Sequence, residues 1–174
     1  SVNYEVIIVD NFSNDDKLQN FSNRFLDFKF ILNSGNNGFS NGCNVGARAA
    51  KGEFFLFLNP DTIISAKVLK ELFSTGKENE NYKLISCSKI KYKGKKEKIN
   101  KPFPSLINLF GLSRAIQATT RKKEIDFYIK NNNNVVFTHW ISGSLVFMSK
   151  KWFDILGGWN EDYWMYYEDV DLCK

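Results

Sequence analysis

Three acidic stations in this chain stand where carboxylates can do chemistry. Asp10 closes the apolar run Tyr4-Glu5-Val6-Ile7-Ile8-Val9, and Asp61 follows the run Phe54-Phe55-Leu56-Phe57-Leu58 after Asn59-Pro60. A third station begins at Glu161-Asp162 and ends in Tyr166-Tyr167-Glu168-Asp169-Val170-Asp171, where acidic and aromatic residues alternate behind Gly157-Gly158. Open α/β sheets bind their ligands beyond the carboxyl ends of the strands. An Asp at such a strand end can take a hard divalent cation, Mg²⁺ or Mn²⁺, that bridges a diphosphate, because both prefer oxygen ligands. Pro60 stops further ladder pairing and fixes the turn. Asn59-Pro60-Asp61 can equally be a turn followed by a helix cap. In the third station, aromatic rings offer stacking faces and a carboxylate among them can accept a hydroxyl proton. The alternative there is a solvated helix start, where acidic residues suit the helix dipole.

Other motifs are weaker. Gly38, Gly42 and Gly46 do not follow the dinucleotide pattern G-x-G-x-x-G, and no P-loop lysine motif occurs. His139, the single histidine, stands beside Trp140 and reads as structural. Cys43, Cys87 and Cys173 lie far apart without C-x-x-C pairing, which argues against a zinc cluster or a disulfide framework and for reduced thiols.

These stations need a scaffold, and the composition supplies one. The 174 residues, 43% of them apolar, suit one globular domain with a real core. A net charge of +5 fits anionic partners: sugar nucleotides, anionic lipid head groups or nucleic acid. No apolar run reaches the roughly 18 residues that span a bilayer, and no signal peptide is visible. Cytoplasmic placement follows as an expectation. Strand character at the first residues and an abrupt stop at the last predict that both ends are cut inside a domain.

Periodicity predicts strands over residues 4–9, 28–32, 54–58 and 84–90, and strand character over 135–148 broken by Ser142-Gly143-Ser144. Helices are predicted over 15–25, within 38–52, from a Ser65 cap to Phe73, and from a Ser149 cap over 150–156 to Gly157-Gly158. Gly42, Gly46, Ala49 and Ala50 recur at helical spacing, and such a face of small residues lets a helix lie close on a sheet. Alternating strands and helices predict an α/β domain with a mostly parallel central sheet flanked by helices.

The stretch 89–101 is crowded with Lys89, Lys91, Lys93, Lys95, Lys96, Lys98 and Lys101. It reads as a hairpin turning at Lys93-Gly94 or as a surface loop. An amphipathic segment over 102–117 follows it, and a polar loop over 130–134 comes later. Aromatic residues are not interleaved with the lysines as nucleic-acid stacking requires, so no nucleic-acid partner is expected. Lysines beside Phe103, Leu106, Ile107, Leu109 and Phe110 suit peripheral contact with an anionic membrane surface, or simply a solvated loop followed by a packed helix.

Taken in order, the motifs resemble family 2 glycosyltransferases of the GT-A fold, and among them the rhamnosyltransferase-like enzymes of bacterial surface polysaccharides. The matching segments are Glu5-Val6-Ile7-Ile8-Val9-Asp10-Asn11-Phe12-Ser13, Asn37-Gly38-Phe39-Ser40-Asn41-Gly42-Cys43-Asn44-Val45-Gly46 and Leu58-Asn59-Pro60-Asp61. They continue with Trp140-Ile141-Ser142-Gly143-Ser144, Gly157-Gly158-Trp159-Asn160-Glu161 and Tyr167-Glu168-Asp169-Val170-Asp171-Leu172-Cys173. Pro102-Phe103-Pro104-Ser105 is also similar to a segment of that branch.

The resemblance implies transfer of a sugar from a nucleotide diphosphate donor to an acceptor hydroxyl, metal-dependent and inverting. The acceptor would be a glycan or lipid-linked glycan, at the inner face of the plasma membrane. By position, Asp10, Asn11, Ser13, Gly38, Asn44 and Asn59 would line the donor nucleotide, and Asp61 would sit in the metal–diphosphate site. Asp169 would be the general base with Glu168 beside it, and Trp140, Ser142, Gly143, Ser144 and Glu161 would lie near donor sugar and acceptor. The nucleotide-sugar half would cover about 1–90 and the acceptor and catalytic half about 91–174 of one domain. Two departures stand against the resemblance. Relatives carry a strand and helix before the first residues seen here, and many carry an acidic residue where His139 stands. A chain lacking that first strand could instead be a catalytically silent fragment that only binds.

Overall fold

The computed structural model describes residues 2–13, 15, 17–88, 103–104 and 136–174. Two compact units emerge, Ser1–Cys87 with Ser142–Leu172, and Ser88–Ile141 with Cys173–Lys174. In the second unit, the Phe103 and His139 rings stack with centroids 5.2 Å apart, and the Phe103 N–H donates to His139 Nδ1 at 3.4 Å. The lysine-rich stretch, its expected hairpin, the polar loop and nearly all of the amphipathic segment lie outside the described residues.

The first unit is α/β. Its strands are β1 (Ile7–Asp10), β2 (Lys29–Leu32), β3 (Phe54–Leu58) and β4 (Leu145–Ser149). Its helices are α1 (Lys17–Arg24), α2 (Gly38–Ala49), α3 (Ala66–Glu78), α4 (Lys150–Leu156) and α5 (Glu168–Leu172). β1 and β2 pair in parallel with Asp10 opposite Leu32, whereas β3 and β4 pair antiparallel with Leu58 opposite Leu145. The region over 84–90 contributes a bridge from Ile85 to Phe147, both of whose N–H···O bonds measure 2.8 Å.

β3 is apolar throughout because both its faces are covered. Phe54 and Leu56 pack toward α3, in a cluster with Leu72, Leu145, Phe147, Val68, Phe73 and Ile85. Phe55 and Phe57 point the other way, where each meets Phe153 of α4 and Phe57 also meets Trp159. Such aromatic pairs contribute about 0.5–1.5 kcal/mol each beyond their burial. Trp159 is 1% exposed and anchors the loop that leads to the acidic station.

Local signals set the helix ends. Ser65 Oγ accepts the Val68 N–H and Ser149 Oγ accepts the Trp152 N–H, both as N-caps. α3 runs on to Glu78, beyond the expected Phe73, because Leu72 and Gly76 of its later turns are buried. α4 stops at Gly157, whose φ of 78° is a left-handed C-cap. α2 lies close on β1 as its small residues predict. A Cβ at Gly46 would stand 3.3 Å from Val9 Cγ2, and one at Gly42 would stand 3.0 Å from the Asn11 side-chain amide.

Candidate functional site

The acidic stations lie at the end of β1, just past the end of β3 and around the start of α5, and the start of α2 packs among them. At β1, Asp10 Oδ1 accepts the Ser13 N–H at 2.9 Å, which curls the chain after the strand. Asn11 then reaches across to α2, where its Nδ2 donates to the Gly38 carbonyl at 2.9 Å. Gly38 has φ +87°, and any Cβ there would collide with the Trp164 backbone, so only glycine fits this crossing. The Phe39 N–H donates to the Trp164 carbonyl at 3.1 Å, which ties α2 to the aromatic segment before α5.

At β3 the antiparallel register does the positioning. The Asn59 N–H donates to the Ser144 carbonyl at 3.1 Å, one step beyond the last strand pair, and the Thr62 N–H closes a turn on the Asn59 carbonyl at 3.0 Å. Asn59 is thus seated on Ser144, and the Thr62 hydroxyl also donates to the Ser144 carbonyl at 3.4 Å, with Asp61 exposed in the turn between them. Asn59 Oδ1 is buried without a hydrogen-bond partner. Ser142 Oγ and Ser144 Oγ share a hydrogen bond of 3.1 Å.

Between the two serines, Gly143 meets α5. Its N–H donates to Asp169 Oδ2 at 3.0 Å, which fixes the carboxylate's orientation. A Cβ on Gly143 would stand 3.4 Å from Asp169 Cβ, 3.4 Å from Phe39 Cε1 and 3.6 Å from Trp159 Cη2. One glycine therefore touches α5, α2 and the Trp159 loop at once.

The backbone entering α5 is strained. Tyr166 and Tyr167 have φ of 69° and 68°, and Phe12, just past Asp10 and Asn11, has φ 64°. Residues other than glycine rarely adopt this region, and each such residue costs about 1–3 kcal/mol. In this molecule the strain sits beside two of the three acidic stations. Trp164, Met165, Tyr166 and Tyr167 are all exposed and present an apolar, aromatic surface ahead of Glu168-Asp169.

Glu168 and Asp169 differ in environment although adjacent. Glu168 is buried, and its Oε2 has no partner. Burial pushes its carboxyl above the usual glutamate range; a hydrogen bond from its own backbone pulls it back, and the Asp169 charge pushes it up again. Burial likewise raises the Cys43 thiol on α2, and the Glu168 charge adds to that rise. A carboxyl whose folded pKa is raised holds a proton longer than in the unfolded chain. Its contribution to stability is fully present below the unfolded value near 4.5 and is lost as pH climbs through the folded value. Glu168→Gln should remove that loss. In paired thermal melts the variant's Tm should gain on the parent's as pH rises from about 4 to about 8; a constant difference would contradict the buried-acid assignment.

Glu161 spends both oxygens on α2, accepting from Asn41 Nδ2 at 2.6 Å and Asn44 Nδ2 at 2.8 Å. Those hydrogen bonds, Asn44's first, and the charge of Arg48 at 3.8 Å hold its carboxyl below the usual glutamate range against some burial. Asn44 also clasps Trp159, accepting its N–H at 2.9 Å and donating to its carbonyl at 2.8 Å. Asn33, Asn41 and Arg48 were not expected at the site. A density of asparagines over 33–44 was the available signal. Trp140 belongs to the second unit, where its carbonyl accepts from Thr138 Oγ1 at 3.4 Å. Among the described residues, no group of three or more His, Cys, Asp or Glu side chains converges as a metal site.

A glycosyl transferase family 2 model matches residues 1–153 of this chain. The chain belongs to that family, whose fold is GT-A. It is 30% identical over 176 residues to the low-salt glycan biosynthesis hexosyltransferase Agl10 of Haloferax volcanii, an alignment covering 97% of this chain and 52% of that protein. Over 100 residues it is 32% identical to the poly(ribitol-phosphate) beta-N-acetylglucosaminyltransferase TarP of Staphylococcus aureus, covering 55% of this chain and 30% of that protein. The chain thus spans about half the length of the first relative and less of the second.

Proposed function

We propose that this chain carries the donor-binding and catalytic core of an enzyme that moves a sugar from a nucleotide diphosphate to a hydroxyl of a glycan or lipid-linked glycan. The reading rests on one observation above the others: Asp169, in the first turn of α5, is oriented by the N–H of Gly143, whose neighbour Ser144 accepts the Asn59 N–H. Names of the two relatives, a hexosyltransferase of glycan biosynthesis and an N-acetylglucosaminyltransferase, support the same reaction class.

In this reading Asp169 takes the proton of the acceptor hydroxyl as its oxygen bonds to the anomeric carbon. The bond from that carbon to the diphosphate oxygen breaks, so the configuration inverts and a nucleoside diphosphate leaves. Asp10, Asn11 and Ser13 bind the nucleoside side, with Gly38, Asn44 and Asn59 shaping that pocket. Ser142, Gly143 and Ser144 handle the sugar and acceptor. The exposed aromatic residues before α5 offer stacking faces for sugar rings. Division of labour follows the chain, with nucleotide-sugar work in about 1–90 and acceptor and catalytic work in about 91–174.

The residues at the end of β3 fit a divalent cation. Asp61 is an exposed carboxylate, and the buried Asn59 Oδ1 beside it lacks a partner. One carboxylate with phosphate oxygens and water is a usual shell for Mg²⁺. When bound, Mg²⁺ or Mn²⁺ supplies neutralisation of the charge that grows on the departing diphosphate. A deoxyhexose such as rhamnose is the donor sugar that the motif pattern favours. Peripheral contact of the lysine-rich stretch with anionic lipid would bring a lipid-linked acceptor within reach at the inner membrane face.

A panel of nucleotide diphosphate sugars, tested with Mn²⁺ and a glycan acceptor, should include at least one that releases nucleoside diphosphate only when acceptor is present. Absence of calorimetric binding to every donor in the panel would overturn the reading.

A further inference from the structure

Four asparagine side chains and one carboxylate form a continuous hydrogen-bonded run through the first unit. Asn11 Nδ2 donates to the Gly38 carbonyl, and Asn11 Oδ1 accepts from Asn33 Nδ2 at 3.1 Å. Asn33 Nδ2 also donates to Asn41 Oδ1 at 2.7 Å, Asn41 Nδ2 donates to Glu161 Oε2, and Glu161 Oε1 accepts from Asn44 Nδ2. The run ends in the two-point clasp of Asn44 on the Trp159 backbone.

Backbone groups lock the amides in one orientation. Asn11 faces a carbonyl, Asn33 Oδ1 accepts the Ser34 N–H at 3.0 Å, and Asn44 satisfies a donor and an acceptor of one residue. Asn41 is then forced to turn its oxygen to Asn33 and its NH₂ to position 161. Two N–H donors converge there, and only a group that accepts on both sides satisfies them. Two glycines make room for the run: a Cβ on Gly158 would stand 2.8 Å from Asn44 Oδ1, and one on Gly42 would crowd the Asn11 amide.

We infer that Glu161 is a positioning residue of the transferase site: it seats the segment 159–161 on α2, and through Trp159 it holds Gly143 and so the orientation of Asp169. This rests on the glycosyl-transfer reading above, and it replaces contact with donor or acceptor as the role of Glu161. The path is short. Glu161 fixes Asn44, Asn44 clasps Trp159, the Trp159 ring borders Gly143, and the Gly143 N–H orients Asp169.

The chemistry of the run supplies a specific test, relocation of the carboxylate by one step. Glu161→Gln keeps the shape but sets an NH₂ against the N–H of Asn41 or Asn44. Neither asparagine can turn over without breaking its other bonds. Adding Asn41→Asp restores every hydrogen bond of the run, though not the 3.8 Å ion pair of position 161 with Arg48: the introduced amide donates to the introduced carboxylate, which still accepts from Asn33, while Asn44 keeps its acceptor.

Turnover of Glu161→Gln should fall about tenfold or more with an unmoved pH–rate midpoint, and the double variant should recover most of the loss. Hydrogen exchange over residues 157–161 gives a readout that needs no activity. Exchange there should speed up in the single variant and return to the parent rate in the double. Unchanged exchange in Glu161→Gln would overturn the seating role. Faster exchange with full turnover, or a double variant no better than the single in both readouts, would overturn the link to Asp169 or the donor–acceptor logic. A parent that transfers no sugar would sink the functional reading alone, and exchange would still decide whether Glu161 seats the loop.

Discussion

Asp169→Asn should lower turnover by roughly 10²-fold or more while leaving donor affinity nearly unchanged. The substitution keeps the size of the side chain, and its amide oxygen can still accept the Gly143 N–H, so the start of α5 should hold its place. In the proposed reaction, what it removes is the capacity to take a proton from the acceptor hydroxyl. General bases typically contribute 10²–10⁴-fold, about 3–5 kcal/mol of barrier, and the expected loss lies in that range. Single-turnover measurements at saturating donor check it directly. Comparable turnover in the variant would move the role along α5, to Glu168 or Asp171. Of these, Glu168 is the poorer candidate because it is buried, whereas Asp171 already accepts from Asn160 Nδ2 at 3.2 Å.

Asp61→Asn should abolish metal-dependent donor binding while the fold persists. Asp61 is exposed at the end of β3, and none of the described core contacts uses its side chain. The neighbouring turn is held by backbone bonds, from Asn59 to Ser144 and from Thr62 to Asn59, which the substitution leaves intact. Removing the single carboxylate there leaves a neutral oxygen as the protein's ligand, a weak partner for a hard cation. Calorimetric titration of a donor with and without Mn²⁺ separates the outcomes. Parent-like binding of both donor and Mn²⁺ by the variant would dismiss Asp61 from the metal site. An unchanged melting temperature would show that any loss is local.

The elements that carry these two residues were legible in the sequence for physical reasons. β3 is an unbroken apolar run because both its faces are covered, and Ser65, Ser149 and Gly157 mark helix ends by chemistry confined to a few neighbouring residues. β1 and the small-residue face of α2 were readable on the same grounds. What escaped depends on distant partners. The antiparallel seating of β4 against β3, which sets Ser144 opposite Asn59, leaves no trace in local periodicity. Glu161 reads as one more acidic residue until Asn41, 120 positions earlier, is seen beside it. Glu168 sits in a segment whose composition suggests water on all sides, yet Glu168 is buried and its neighbour is only partly so. The family resemblance supplied candidate roles, but the division of Glu168 and Asp169 into an inward and an outward carboxylate came from packing.

The register of β3 against β4 also bears on how such a protein can diversify. Leu145 stands opposite Leu58, and the Ile85–Phe147 bridge and the Ser86 Oγ bond to the Leu145 carbonyl at 2.8 Å hold together points 59 positions or more apart in sequence. Closing a chain loop costs free energy that grows only with the logarithm of its length, about 0.6 kcal/mol for each doubling. A change in the number of residues between those points therefore alters the closure cost only slightly, and chain length there can vary while the β3–β4 register persists.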